Sequence, residues 1–197
     1  MNTANRVTFM RVWLSPILFI VFFLPRWFSV PVIPVIAAIV IIFATIEFSD
    51  LFDGKIARKR NQVSDFGKAL DPFSDSLSRL TYFLCFVAEG YMPVWIFVLV
   101  LYRDLIVSFM RQIMAQSGTI MPSRMSGKIK AWVYCVTGIV GMLYHFTVLL
   151  GVVLYVPYPC IVVMYSLFGL SGLTAIWTLY DYAVVFMNRK DKNSELS

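Results

Sequence analysis

Residues 35–75 read VIAAIVIIFATIEFSDLFDGKIARKRNQVSDFGKALDPFSD. The stretch opens inside an apolar run, 31–48, interrupted only by Glu47. A run of that kind is long enough to cross hydrocarbon, which takes about 20 mainly apolar residues in a helix. It then meets five aspartates, of which Asp50, Asp53, Asp71 and Asp75 fall at helical spacings. Aspartates three apart (50 and 53) or four apart (71 and 75) share one helix face. Two helix ends therefore each offer a carboxylate pair beside a membrane, where ionisable groups are costly and read first as functional.

The rest of the chain repeats the pattern. Of 197 residues 59% are hydrophobic and only 14% charged, against roughly 25% charged in a soluble domain. That excludes disorder, and three cysteines exclude a disulfide scaffold. What remains is an all-α polytopic membrane protein with apolar helices over 7–24, 31–48, 71–88, 93–115, 131–155 and 158–180. Six spans put both termini on one side. All of the 17 Lys and Arg except Arg26 then lie on that side, which the positive-inside rule makes cytoplasmic. The net charge of +6 thus reads as a topology signal and not as nucleic-acid binding. One membrane domain over 1–187 and a short polar tail over 188–197 are expected. The apolar start has no small-residue cleavage site and reads as a retained span. Cys85, Cys135 and Cys160 read as small buried hydrophobes, and His145, deep in an apolar run, as a core histidine.

Four close carboxylates repel unless some are protonated or a cation lies between them. All-oxygen ligands suit hard Mg²⁺, Mn²⁺ or Ca²⁺ and not zinc. Single aspartates also serve as caps and turns: Asp53-Gly54 is a common turn pair and Asp71-Pro72 a common helix start. Gly54, Ala57 and Gly67 lie on the aspartate faces, where small side chains leave room for a ligand or allow close helix packing. Arg58 follows directly and suits a phosphate.

The spacing Asp50-x2-Asp53-Gly54-x2-Ala57-Arg58-x8-Gly67-x3-Asp71-x3-Asp75 resembles the signature of the CDP-alcohol phosphotransferase family, with all eight fixed positions matched. Asn5-x2-Thr8-x2-Arg11, the stretch Tyr102-Arg103-Asp104-Leu105 and Ser126-Gly127-Lys128-Ile129-Lys130 resemble further stretches of its phosphatidylglycerophosphate synthase branch. Ala131 and Ser64 stand where a hydroxyl residue and a threonine are common. The resemblance implies a six-helix, homodimeric enzyme of the bacterial inner membrane with its active site facing the cytoplasm. It implies two divalent ions, Mg²⁺ or Mn²⁺, on Asp50, Asp53, Asp71 and Asp75, with Asp75 also the proton acceptor. Asn5, Thr8, Gly54, Arg58 and Ser64 would contact CDP-diacylglycerol, with Ala57 and Gly67 giving it room.

The acceptor is expected to be sn-glycerol 3-phosphate. Arg103 and Arg111, eight residues apart on one helix face, interrupt an apolar run. Lys128 and Lys130 follow a Ser126-Gly127 turn that returns the chain to the same layer. Four cations suit a dianionic phosphate, whereas serine or diacylglycerol needs none. An inositol phosphate also suits them, and the subfamily resemblance separates the two. A divalent-cation transporter would place its carboxylates near the bilayer centre with polar paths on both sides, and this chain clusters them at helix ends.

Overall fold

The computed structural model describes the backbone of residues 3–60, 65–116 and 124–194, and side chains over 9–49, 73–114 and 124–188. The described residues form six α-helices: α1 (Thr3–Trp27), α2 (Val32–Arg60), α3 (Asp65–Ala88), α4 (Val94–Gln116), α5 (Met125–Leu149) and α6 (Tyr158–Ser194), with a 3-10 turn at Val153–Tyr155 before the last. Helix α1 packs on α2 and α3, while α4 and α5 pack on α6. Contacts of α3 with α4 and α5 join the two groups.

Among the described residues, four helices are long and apolar enough to cross a membrane, over Phe9–Trp27, Val32–Ser49, Met125–Leu149 and Tyr158–Asn188. Charged residues interrupt the other two: Asp65, Lys68, Asp71, Asp75 and Arg79 in α3, and Arg103, Asp104 and Arg111 in α4. The polarity is inside-out. Ile33 and Trp13 are 74% and 60% exposed, whereas Arg11, Arg103, Asp104 and Lys130 are 2–5% exposed. Such a surface suits hydrocarbon, and charges turned into the bundle are the membrane pattern.

Aromatic side chains fill the core. Tyr82, Phe83 and Phe86 of α3 meet Phe22 of α1, Tyr134 of α5 and Phe168 of α6. Two glycines of α5 admit them. A Cβ on Gly138 would come within 3.0 Å of the Tyr82 ring, and one on Gly141 within 2.5 Å of Phe86. Helices α3 and α5 end alike, on glycines in the left-handed region, Gly90 (φ 76°) and Gly151 (φ 71°). The amides of Gly90 and Tyr91 reach back to Val87 and Phe86, and those of Gly151 and Val152 to Val148 and Thr147. This is the paired C-terminal closure that favours glycine.

Several boundaries differ from the sequence reading. Helix α3 begins at Asp65, six residues before Asp71, and runs through Pro72; a proline removes only one backbone bond. Helix α2 likewise continues through Asp53-Gly54 to Arg60, so that pair is helical and not a turn. Ser126-Gly127 lies in the first turn of α5, which starts at Met125 and ends at Leu149 because Gly151 closes it. Helix α6 continues through the polar tail to Ser194. Of the cysteines only Cys85 is buried. Cys135 is half-buried, and Cys160, in the first turn of α6, is exposed.

Candidate active site

A cavity of about 220 Å³ opens where α3, α4, α5 and α6 meet. Its wall holds Asp75, Ser76 and Arg79 of α3, Arg103, Ser108 and Arg111 of α4, Arg124 before α5, Lys128 and Lys130 of α5, and Tyr182 of α6. All four cations that the sequence reading grouped, Arg103, Arg111, Lys128 and Lys130, line this cavity with Asp75. Arg79 and Arg124 add two more.

Side chains of the bundle fix Arg103, Lys130, Arg124 and Arg111. Asp104, buried behind the wall, accepts from Arg103 Nη1 at 2.9 Å and from Lys130 Nζ at 2.7 Å, both on Oδ1. Arg103 Nε also donates to Thr178 Oγ1 at 2.9 Å. The Lys130 ammonium stands 4.7 Å from the Tyr134 ring centroid. Arg124 Nε pairs with Asp181 Oδ2 at 3.0 Å, and Ser126 Oγ donates to the same oxygen. Arg111 has no carboxylate partner among the described residues. Its Nη2 donates to the Tyr182 hydroxyl at 2.8 Å, and its Nε has no hydrogen-bond partner there.

Asp75 is one-quarter exposed and ion-paired with the buried Arg11 of α1. One turn on, Ser78 Oγ lies 2.9 Å from Ser15 Oγ, whose hydroxyl donates to the Arg11 carbonyl. These contacts fasten α1 to the Asp75 face of α3.

Beside this cavity runs a largely apolar groove of about 530 Å³ between α2 and α5, lined by Phe43, Ala44, Phe48, Trp132, Cys135 and Ile139, with Glu47 also in its wall. Arg79, Lys128 and Ala131 border both spaces. The apolar groove and the cationic cavity therefore lie side by side along these three residues.

Asp50, Asp53, Gly54, Ala57 and Arg58 lie on α2, and Gly67 and Asp71 on α3. Asn5 and Thr8 lie on α1. Their side chains are outside the described ones, and Ser64 is outside the described residues altogether. Among the described residues no three His, Cys, Asp or Glu side chains converge as a metal site. His145 lies in the core: its ring stacks on Phe22 at 3.8 Å, and its Nδ1 is 3.2 Å from the Tyr91 hydroxyl.

The sequence reading missed Thr178, Asp181 and Tyr182. They stand at steps of three and one in α6, so all three fall near one face, with Ser171 and Thr174 a turn or two earlier. Polar residues confined to one face of an apolar helix were the available signal.

The sequence matches the family model described as CDP-alcohol phosphatidyltransferase over residues 1–163. Three relatives carry the name CDP-diacylglycerol–glycerol-3-phosphate 3-phosphatidyltransferase. The Treponema pallidum (strain Nichols) protein is 38% identical over 97 residues, 49% of this chain and 45% of its own length. The match thus spans less than half of that relative. The Bacillus subtilis (strain 168) protein is 34% identical over 139 residues, 66% of this chain and 71% of its own. The Yersinia pestis (strain Pestoides F) protein is 28% identical over 185 residues, 92% of this chain and 93% of its own.

Proposed function

The chain belongs to the CDP-alcohol phosphatidyltransferase family, and on that footing we propose that it transfers the phosphatidyl group of CDP-diacylglycerol to sn-glycerol 3-phosphate, giving phosphatidylglycerophosphate and CMP. The observation that carries this reading is the cationic cavity holding Asp75 beside an apolar groove, with Arg79, Lys128 and Ala131 bordering both. One chamber suits a small dianion and the other suits acyl chains. The names of the three relatives support the same pair of substrates.

The acceptor's phosphate sits among Arg111, Lys128 and their neighbours, and its hydroxyl faces Asp75. The Asp75 carboxylate takes the hydroxyl proton as the oxygen forms its bond to the lipid-linked phosphorus, and the bond to CMP breaks. Arg11 holds that carboxylate in place. The metal donor set is Asp50, Asp53, Asp71 and Asp75, all oxygen, each pair within a continuous helix. That set fits a hard divalent ion. Two such ions, Mg²⁺ or Mn²⁺, would be held by these carboxylates and, when bound, would neutralise charge on the departing phosphate. Asn5, Thr8, Gly54, Ala57, Arg58, Ser64 and Gly67 border the CDP-lipid. The six helices cross the bacterial inner membrane with both termini and the cavity at the cytoplasmic face, as a homodimer.

The test supplies purified protein, CDP-diacylglycerol and one acceptor at a time, and measures CMP. Glycerol 3-phosphate should release CMP fastest, with free glycerol and serine poor. Faster release with serine or an inositol phosphate overturns the acceptor and leaves the transfer chemistry standing.

A further inference from the structure

Carboxylates tie several cations of the cavity wall: Asp104 holds Arg103 and Lys130, and Asp181 holds Arg124. Each such pair spends part of the cation's charge inside the protein. Arg111 is tied by neutral groups. The Tyr182 hydroxyl accepts from Nη2 at 2.8 Å, and the Tyr182 ring centroid lies 5.1 Å from the Arg111 Cζ. The same ring stands 5.5 Å from Arg103 Cζ. A hydroxyl and a π face orient a guanidinium without cancelling its charge. Arg111 Nε, buried and without a hydrogen-bond partner among the described residues, is a donor left over for a ligand.

We infer that Tyr182 is the positioning residue of an anion site for a phosphomonoester, aiming Arg111 into the cavity with its full charge available. This rests on the reading that the cavity takes the acceptor's phosphate. Gly127 belongs to the same device. A Cβ there would come within 3.0 Å of the Tyr182 hydroxyl oxygen, so glycine in the first turn of α5 leaves the hydroxyl its place beside Arg111. Elsewhere in a helix alanine is the more stable choice.

The experiment measures binding of glycerol 3-phosphate and of inorganic phosphate to purified protein by calorimetry, and CMP release in parallel. Tyr182→Phe keeps the ring and removes the hydroxyl. It should weaken both anions about tenfold, on the scale of one hydrogen bond to a charged group, and raise the acceptor KM alike. Turnover at saturating acceptor should fall less than about twofold, the signature of lost ground-state binding. Arg111→Ala should weaken them further, and the double variant should be no weaker than Arg111→Ala alone, because Tyr182 acts through Arg111. Gly127→Ala should raise the acceptor KM without lowering the melting temperature. Unchanged anion binding in Tyr182→Phe, or losses that multiply in the double variant, would overturn the inference. So would a fall in kcat with a parallel loss of melting temperature. If wild type binds inorganic phosphate in a Tyr182-dependent way but does not turn over glycerol 3-phosphate, the proposed acceptor fails and the role of Tyr182 stands. If it binds neither anion, both fail.

Discussion

Asp104→Asn is the sharpest test of the buried charge cluster. Asparagine keeps the shape and an accepting oxygen, so the change removes charge and little else. Asp104 Oδ1 is 2.9 Å from Arg103 Nη1 and 2.7 Å from Lys130 Nζ. At an effective dielectric of about 20, each pair carries roughly 6 kcal/mol of Coulomb attraction before desolvation. Net losses are smaller, and removing one partner of a buried ion pair costs about 3–5 kcal/mol. For a chain of this size 1 kcal/mol moves the melting temperature by about 2–4 °C, so a drop of roughly 6–20 °C is expected. Lys130→Met should behave oppositely. The cluster holds two cations and one carboxylate, and losing Lys130 leaves the neutral Arg103–Asp104 pair. Its melting temperature should stay within a few degrees of wild type, or rise, while acceptor binding weakens. The assay is thermal unfolding in detergent, followed by tryptophan fluorescence. Asp104→Asn within about 2 °C of wild type, with Lys130→Met the more damaging change, would refute the charge accounting.

Asp75→Asn should retain CDP-diacylglycerol binding and lose turnover by orders of magnitude; near wild-type turnover at saturating substrates would remove Asp75 from the proposed chemistry. Chelation should abolish CMP release and added Mg²⁺ or Mn²⁺ restore it, with Asp50→Asn, Asp53→Asn and Asp71→Asn each strongly impaired, so full turnover in excess chelator would sink the metal proposal. Gly141→Ala places a Cβ within 2.5 Å of the Phe86 ring and should cost about 1–3 kcal/mol as overpacking, measured as a lower melting temperature that Phe86→Leu partly restores.

The helix count was legible because apolar runs separated by charged or proline-bearing segments have one economical reading beside a membrane. The ends were less so. Pro72 and the pairs Asp53-Gly54 and Ser126-Gly127 carry local turn preferences, and in each case the helix continues through them. Packing overrides such preferences, which are worth about 1 kcal/mol for a glycine. At Gly127 the override has a visible cause, since the Tyr182 hydroxyl occupies the space a side chain would fill. The partners of the cavity cations were not legible. Asp104 meets Lys130 across 26 residues of sequence and Arg111 meets Tyr182 across 71, and no local pattern encodes such contacts.

The cations themselves posed the harder question, because Arg and Lys at membrane-helix ends are what the topology rule asks for whether or not they bind a ligand. Burial separates the two roles. A topology signal needs only to reach headgroups or water, and long side chains do so by extending outward along the helix. Arg11, Arg103 and Lys130 instead turn inward to full burial, against a desolvation cost of several kcal/mol per ion. The topology rule does not require that cost, so these three need a further reason. For Arg11 it is Asp75, and for Arg103 and Lys130 it is Asp104 at the wall of the cavity. Exposed Lys128 satisfies the topology rule without such a cost, and its place at the border of the cavity and the groove is what ties it to the site.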